Sequence, residues 1–142
     1  IRELLEFKPK SKKTDINVPL KFVSNILKNR SIAFIISDFI SQDYSNSLKI
    51  FSSRHDVTGI RIYDKTEEII PNLGVIDIND NETGKRTTVN TSSKKIRRKY
   101  NEYYNSKRRE FMDYFKRSGS GIIECNTQDD YQKKLLKYFK SR

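Results

Sequence analysis

The sequence predicts an α/β fold of three layers. Its centre is a half sheet of three parallel strands at 31–39, 56–63 and 121–126, with flanking helices and an inserted hairpin at 74–90. Three observations carry this. Residues 31–40 read Ser-Ile-Ala-Phe-Ile-Ile-Ser-Asp-Phe-Ile, an apolar run too short for a typical helix and apolar at successive positions, as expected of a strand buried on both faces. A helical stretch and a second apolar run through Val57, Ile60 and Ile62 follow, and a strand, helix and strand in succession cross over right-handed into parallel neighbours. Gly121-Ile122-Ile123-Glu124-Cys125 supplies the third buried run.

Taken in order, Arg2-Glu3-Leu4-Leu5-Glu6-Phe7 reads as the tail of a helix, and Lys8-Pro9-Lys10-Ser11-Lys12-Lys13 as a basic loop that breaks it. Thr14-Asp15 is a helix-start signal, with Ile16, Leu20, Val23 and Leu27 at helical spacing, so a helix is expected over 17–29. Pro19 falls in its first turn, where amide donors lack partners in any case. After the first strand, Asp43 can cap a helix that turns Tyr44, Leu48 and Phe51 to one side. His55, the one histidine, is expected at a surface turn, since no second histidine or cysteine accompanies it as a metal partner.

Farther on, Gly74-Val75-Ile76-Asp77-Ile78 and Arg86-Thr87-Thr88-Val89 alternate on either side of Asp80-Asn81-Glu82-Thr83-Gly84, a hairpin pattern. Glu82 and Lys85 flank that turn without the tight strand spacing of a nuclease site. Ser92 or Ser93 can cap a helix over 94–117, with Ile96, Tyr100, Tyr104, Phe111 and Phe115 in a stripe and Ser118-Gly119 as its stop. Residues 127–130 cap a last helix, with Tyr131, Leu135 and Phe139 expected to face inward. Cys125 sits in the third strand as a core residue, because no base accompanies it as a nucleophile.

Composition narrows the function classes. With 142 residues the chain is expected to be one domain; 35% hydrophobic and 33% charged residues concentrate its core in few elements. Lysine and arginine number 29 against 18 acidic residues, so the net charge of +11 admits nucleic acid, anionic lipid or acidic proteins as partners. A single cysteine excludes an intramolecular disulfide and fits the reducing cytoplasm, and no apolar run is long enough to span a membrane. The basic face of helix 94–117, through Lys94, Lys95, Arg97, Arg98, Lys107, Arg108 and Arg109, is the candidate polyanion surface.

Asp38 closes the first strand and Asp64 the second, and ligand sites of open α/β sheets lie beyond the carboxyl ends of the strands. Asp64 and Glu67 belong to an acidic loop expected on the same edge as Asp38. Carboxylates there permit a metal-dependent hydrolase, yet no nucleophile or general base with a partner accompanies them, and an enzyme is not expected.

Thr14-Asp15, the strand Phe34-Ile35-Ile36-Ser37-Asp38-Phe39, Asp56-Val57, Asp64 with Glu67 and Pro71, Glu82-Thr83-Gly84 and Thr127-Gln128-Asp129-Asp130 together carry a family resemblance. The chain resembles the carboxyl-terminal half of a von Willebrand factor A-like domain, as in the bacterial domain-of-unknown-function family encoded beside MoxR-type AAA+ ATPases. That resemblance implies a non-enzymatic interaction module with such an ATPase, or its client, as partner. It also implies a metal-ion-dependent adhesion site, in which Thr14 takes the threonine position and Asp38 the aspartate position. The Asp-x-Ser-x-Ser loop of such a site, with the central strand that bears it, is expected ahead of Ile1. Mg²⁺ or Mn²⁺ is therefore expected in a full-length parent and not in this fragment. The resembled sheet order, 3-2-1-4-5-6, would leave strand 31–40 without its central neighbour, so a homo-oligomer through that edge is expected. The alternative function is a non-specific nucleic-acid-binding domain using helix 94–117.

Overall fold

A computed structural model describes residues 14–79, 84 and 86–141. The elements run α1 (Asn17–Ile26), β1 (Ile32–Ser37), α2 (Ser45–Ser52), β2 (Asp56–Tyr63), β3 (Val75–Asn79), β4 (Arg86–Asn90), α3 (Lys94–Arg117), β5 (Gly121–Asn126) and α4 (Tyr131–Lys140). β1, β2 and β5 form a parallel sheet in the order β1-β2-β5, with Ile32 opposite Asp56 and Thr58 opposite Gly121. β3 and β4 pair separately as an antiparallel hairpin, Val75 opposite Asn90. The α/β class, the three parallel strands and the hairpin are thus those that the residue pattern predicts. The helix tail at 2–7, the basic loop at 8–13, and Glu82, Thr83 and Lys85 lie outside the described residues.

Side-chain alternation along β2 assigns the layers. Val57 packs among Leu20 of α1, Leu48 and Phe51 of α2, Phe111 and Phe115 of α3, and Phe39. Ile60 turns the other way, onto Ile123 and Cys125, under Leu135 and Tyr138 of α4. Three helices therefore cover one face and one helix covers the other. A glycine sets how closely α3 approaches: a Cβ at Gly59 would lie 2.4 Å from Phe115 Cε1 and 2.9 Å from Phe111 Cε2. Two phenyl rings occupy the space that any larger residue at this position of β2 would fill.

β1 departs from expectation. It is an edge strand of the described sheet, and its side chains alternate between exposed and half-buried where burial on both faces is predicted. Ala33 and Ile35 pack toward α1, whereas Ile32, Phe34 and Ile36 are 69%, 44% and 66% exposed. The strand buried on both faces is β2, whose sequence includes Thr58, Gly59 and Arg61. Position in the sheet decides this, since β2 has a neighbour on each side and helices above and below.

Three smaller expectations are corrected. α1 stops at Ile26, short of residue 29, because the residues after Leu27 make the reversal into β1; Leu27 is already extended. His55 is buried, not at the surface. It lies beneath the end of α2, its ring 4.6 Å from that of Phe51, and its Nδ1 accepts a hydrogen bond from the Ser31 amide at 3.3 Å. In α4, Tyr131 and Phe139 are exposed, and Leu135 and Tyr138 face the sheet. α4 lies over β2 and β5, where the Tyr138 and Thr58 hydroxyls are 3.1 Å apart above Gly121. Phe139 reaches sideways to Phe34, ring centroids 5.9 Å apart.

Candidate functional site

The carboxyl ends of β1 and β2 lead into two loops that hold the candidate carboxylates. Asp38 follows β1 directly and is exposed. Its Oδ1 accepts hydrogen bonds from the Ser37 hydroxyl at 3.3 Å and the Ile40 amide at 3.0 Å, an Asx-type turn that fixes the carboxylate at the strand tip. The next residue, Phe39, is buried yet has φ 59°. A bulky side chain in the left-handed region stores strain of order 1–3 kcal/mol, and such strain clusters at functional sites. Core packing holds it there: the Phe39 ring stacks on Phe111 at 4.3 Å and meets Phe115 edge-on at 5.3 Å.

Ser41 joins this loop to the segment before α1. Its hydroxyl accepts from the Ile16 amide at 3.3 Å and donates to the Thr14 carbonyl at 3.4 Å, and Asn17 Nδ2 donates to the Asp43 carbonyl at 2.9 Å. Thr14 and Asp38 consequently occupy neighbouring loops on one edge of the sheet. Lys107 of α3 donates to the Ser41 carbonyl at 3.1 Å, which ties the same loop to the long helix. Ser41 is the residue that sequence reasoning missed here, while Lys107, expected on the polyanion face, is turned to this loop and to Glu110.

Asp64 and Glu67 differ in role. Asp64 Oδ1 accepts from the Thr66 amide and hydroxyl, both at 2.8 Å, and Oδ2 accepts from Thr127 at 3.2 Å. The Thr66 amide, then its hydroxyl, hold the Asp64 carboxyl below its ordinary range. It shapes the turn and joins it to the loop before α4. Glu67 is exposed. The Tyr104 phenol is pushed up, first by burial, then by its hydrogen bond with Tyr100, and further by the charges of Glu67 and Asp38. Glu67 and Asp38 therefore both lie within electrostatic reach of Tyr104. The rest of this acidic loop is anchored: Glu68 pairs with buried Arg61 at 3.2 Å, and Arg61 also meets Glu124 at 3.3 Å.

The donors described do not by themselves fit a divalent cation. Mg²⁺ takes near-octahedral oxygen ligands. Asp38 already directs Oδ1 to its own turn, and among the described residues no three His, Cys, Asp or Glu side chains converge on one point. Asp43-Tyr44-Ser45-Asn46-Ser47 has the Asp-x-Ser-x-Ser spacing, but it opens α2: Asp43 Oδ1 accepts from the Ser45 amide at 2.8 Å, and the Ser47 hydroxyl donates to Asn17 Oδ1 at 2.7 Å.

The basic face of α3 is partly engaged within the chain. Arg97 donates to the Thr91 carbonyl, Arg98 pairs with Glu102 at 3.2 Å, Lys107 with Glu110 at 2.9 Å, and Arg108 grips Glu124 through two bonds of 2.8 Å. Lys94, Lys95 and Arg109 are exposed and make no ion pair among the described residues. Polyanion binding by this face is expected to be weak and to fall with salt at a log–log slope of about −3, because ~3 phosphate contacts release few counterions. DNA retention on a column at graded salt measures it, and a sequence-specific footprint at physiological salt would contradict it.

The family described as Protein of unknown function DUF58 matches residues 1–110 of this chain. The chain belongs to that family. Among relatives of this DUF58 chain, Uncharacterized protein MAV169 from Mycobacterium avium is 26% identical over 116 residues, 81% of this chain and 68% of that protein. Among solved structures, that of an aerotolerance-related membrane protein from Bacteroides fragilis NCTC 9343, with multiple mutations to serines, is similar with a TM-score of 0.44 at 13% identity. The alignment takes in 91% of the DUF58 chain, which spans 60% of the length of that structure's chain. In the DUF58 chain, no helix among the described residues is long and apolar enough to cross a membrane.

Proposed function

We propose that this DUF58 chain is a non-enzymatic interaction module, the carboxyl-terminal half of a metal-ion-dependent adhesion-type domain, whose partner is a MoxR-type AAA+ ATPase or that ATPase's client. One observation supports the reading: Thr14 and Asp38 lie in neighbouring loops at the carboxyl edge of a parallel sheet, and Ser41, in the loop that Asp38 begins, bonds the Thr14 carbonyl and the Ile16 amide. The strained, buried Phe39 immediately after Asp38 supports it, since the core holds that turn in a conformation the backbone alone would avoid. A carboxylate held at a strand tip can complete the coordination of a cation whose other ligands come from outside these 142 residues. Catalysis has less support, because Asp64 is absorbed in its own turn and no nucleophile paired with a base stands beside Asp38 among the described residues.

Calorimetry with Mg²⁺ and Mn²⁺ tests the metal half of this reading. The chain of 142 residues is expected to show negligible heat, and a longer natural chain carrying an Asp-x-Ser-x-Ser loop ahead of these residues is expected to bind, with affinity lost on Asp38→Ala. Micromolar affinity in the shorter chain that survives Asp38→Ala would show that the site is elsewhere. Co-purification of the longer chain with the ATPase tests the partner. Turnover of a phosphate ester that stops on Asp38→Ala would replace the interaction module with a hydrolase.

A further inference from the structure

We infer that the edge of β1 that no strand among the described residues pairs is a self-association surface, on which a second copy of this chain pairs antiparallel about a two-fold axis at Phe34. The inference concerns the chain of 142 residues and is independent of the ATPase and metal readings. It starts from the backbone. Ser31 directs both polar groups toward β2, its amide to His55 Nδ1 at 3.3 Å and its carbonyl to the Asp56 amide at 2.9 Å. Backbone groups alternate sides along a strand, so the amides and carbonyls of Ile32, Phe34 and Ile36 point to that edge. Residues 32–37 contain no charge, proline or bulge, the devices that ordinarily keep an edge from pairing with another chain.

Those edge-facing residues determine a register. Pairing Phe34 with Phe34 of the second copy sets Ile32 against Ile36 and Ile36 against Ile32, so all three donate and accept across the junction. The same register brings Arg30 of each copy opposite Asp38 of the other. Both are exposed, and neither makes an ion pair among the described residues. Registers shifted by two residues lose one of the three pairings and separate the charges. A parallel arrangement would place Arg30 beside Arg30. Charge complementarity therefore selects a second copy in the antiparallel sense, although the net charge of +11 opposes self-association.

Helix α1 extends the surface. Asn17, Lys21, Ser24 and Asn25 line a hollow shared with Asn46, Ser47 and Ile50 of α2, so that flank of α1 faces α2. Val18, Phe22 and Ile26, four residues apart on the opposite flank, are exposed. Ile32, Phe34 and Ile36 alternate to the opposite face of the sheet from α1, so exposed apolar side chains border the edge on both faces.

Sedimentation velocity from low to high micromolar concentration, with cysteine cross-linking, tests the inference. The chain is expected to reach a dimer mass, and Ile36→Lys to return it to monomer. Arg30→Asp should weaken the dimer by up to about fivefold, and Arg30→Asp combined with Asp38→Arg should restore it. Phe34→Cys should form a disulfide-linked dimer under oxidised glutathione, since a directly opposed hydrogen-bonded pair has Cα atoms ~5.5 Å apart, within disulfide reach. Ile32→Cys and Ile36→Cys should link only when mixed. Cys125 is buried, so the unaltered chain serves as the control. A folded monomer at high concentration, or Ile32→Cys linking to itself while Phe34→Cys does not, would overturn the inference. The first outcome would leave the edge to a strand from a longer polypeptide, and the second would require another register.

Discussion

Glu124→Gln is expected to destabilise the chain by about 3 kcal/mol, the low end of the range for breaking a buried ion pair. Arg61 is the reason. Its side chain is only 3% exposed in the middle of β2, and it is held by Glu68 at 3.2 Å and Glu124 at 3.3 Å, with its guanidinium 4.6 Å from the Tyr63 ring centre. Glu124 also receives two hydrogen bonds from Arg108, so one carboxylate links β2, β5 and α3. Neutralising it leaves Arg61 with Glu68 alone. The Glu124 carboxyl is held below its ordinary range, chiefly by the Arg108 hydrogen bonds, against burial that raises it, and with help from the charges of Arg108 and Arg61. The sign follows from that direction. A folded-state value below the unfolded one means that the unfolded chain binds the extra proton. The carboxylate's contribution is therefore complete above the ordinary glutamate value of about 4.3 and is lost as pH falls through the lowered folded value. Urea titrations at pH 7 and near pH 3 measure this. The difference between Glu124→Gln and the unaltered chain should be large at pH 7 and shrink in acid. A difference independent of pH would assign the loss to packing.

Phe115→Ala is expected to cost more, about 3–5 kcal/mol, with a Tm fall on the order of 10 °C. Phe115 has no exposed surface and touches the two features that place the candidate site. Its ring lies against Gly59 and is 4.9 Å from Phe111 and 5.3 Å from Phe39, the residue held at φ 59°. Gly59 cannot grow to fill the cavity, so collapse onto the void is restricted. Removing Phe115 should also loosen the turn that carries Asp38, and amide exchange at Ile40, whose N–H bonds Asp38 Oδ1, should rise more than the global loss of stability accounts for. A loss of less than about 1 kcal/mol, with Ile40 exchange unchanged, would show that the Phe39 turn stands without this support.

The sequence by itself determined the elements and their type. Apolar runs bounded by turn residues identified the three parallel strands, the alternation around Gly84 identified the hairpin, and the spacing of Phe111 and Phe115 identified the inward stripe of α3, since each signal lies in local periodicity. The carboxylates at strand ends were legible for the same reason, because a strand boundary places its last residue at the sheet edge. Tertiary structure alone decided which strand is central. Ile32, Phe34 and Ile36 look more deeply buried than Thr58 and Arg61, and the opposite holds, because burial depends on neighbours that chain order does not reveal. It also decided which charges remain available. Arg108 and Lys95 are alike in the sequence, yet Arg108 is bound to Glu124, 16 positions away, whereas Lys95 faces solvent. The strained turn at Phe39 and the bridge at Ser41 arise only where packing from α1, α2 and α3 converges on one loop, and no local pattern encodes a contact made by three separate helices.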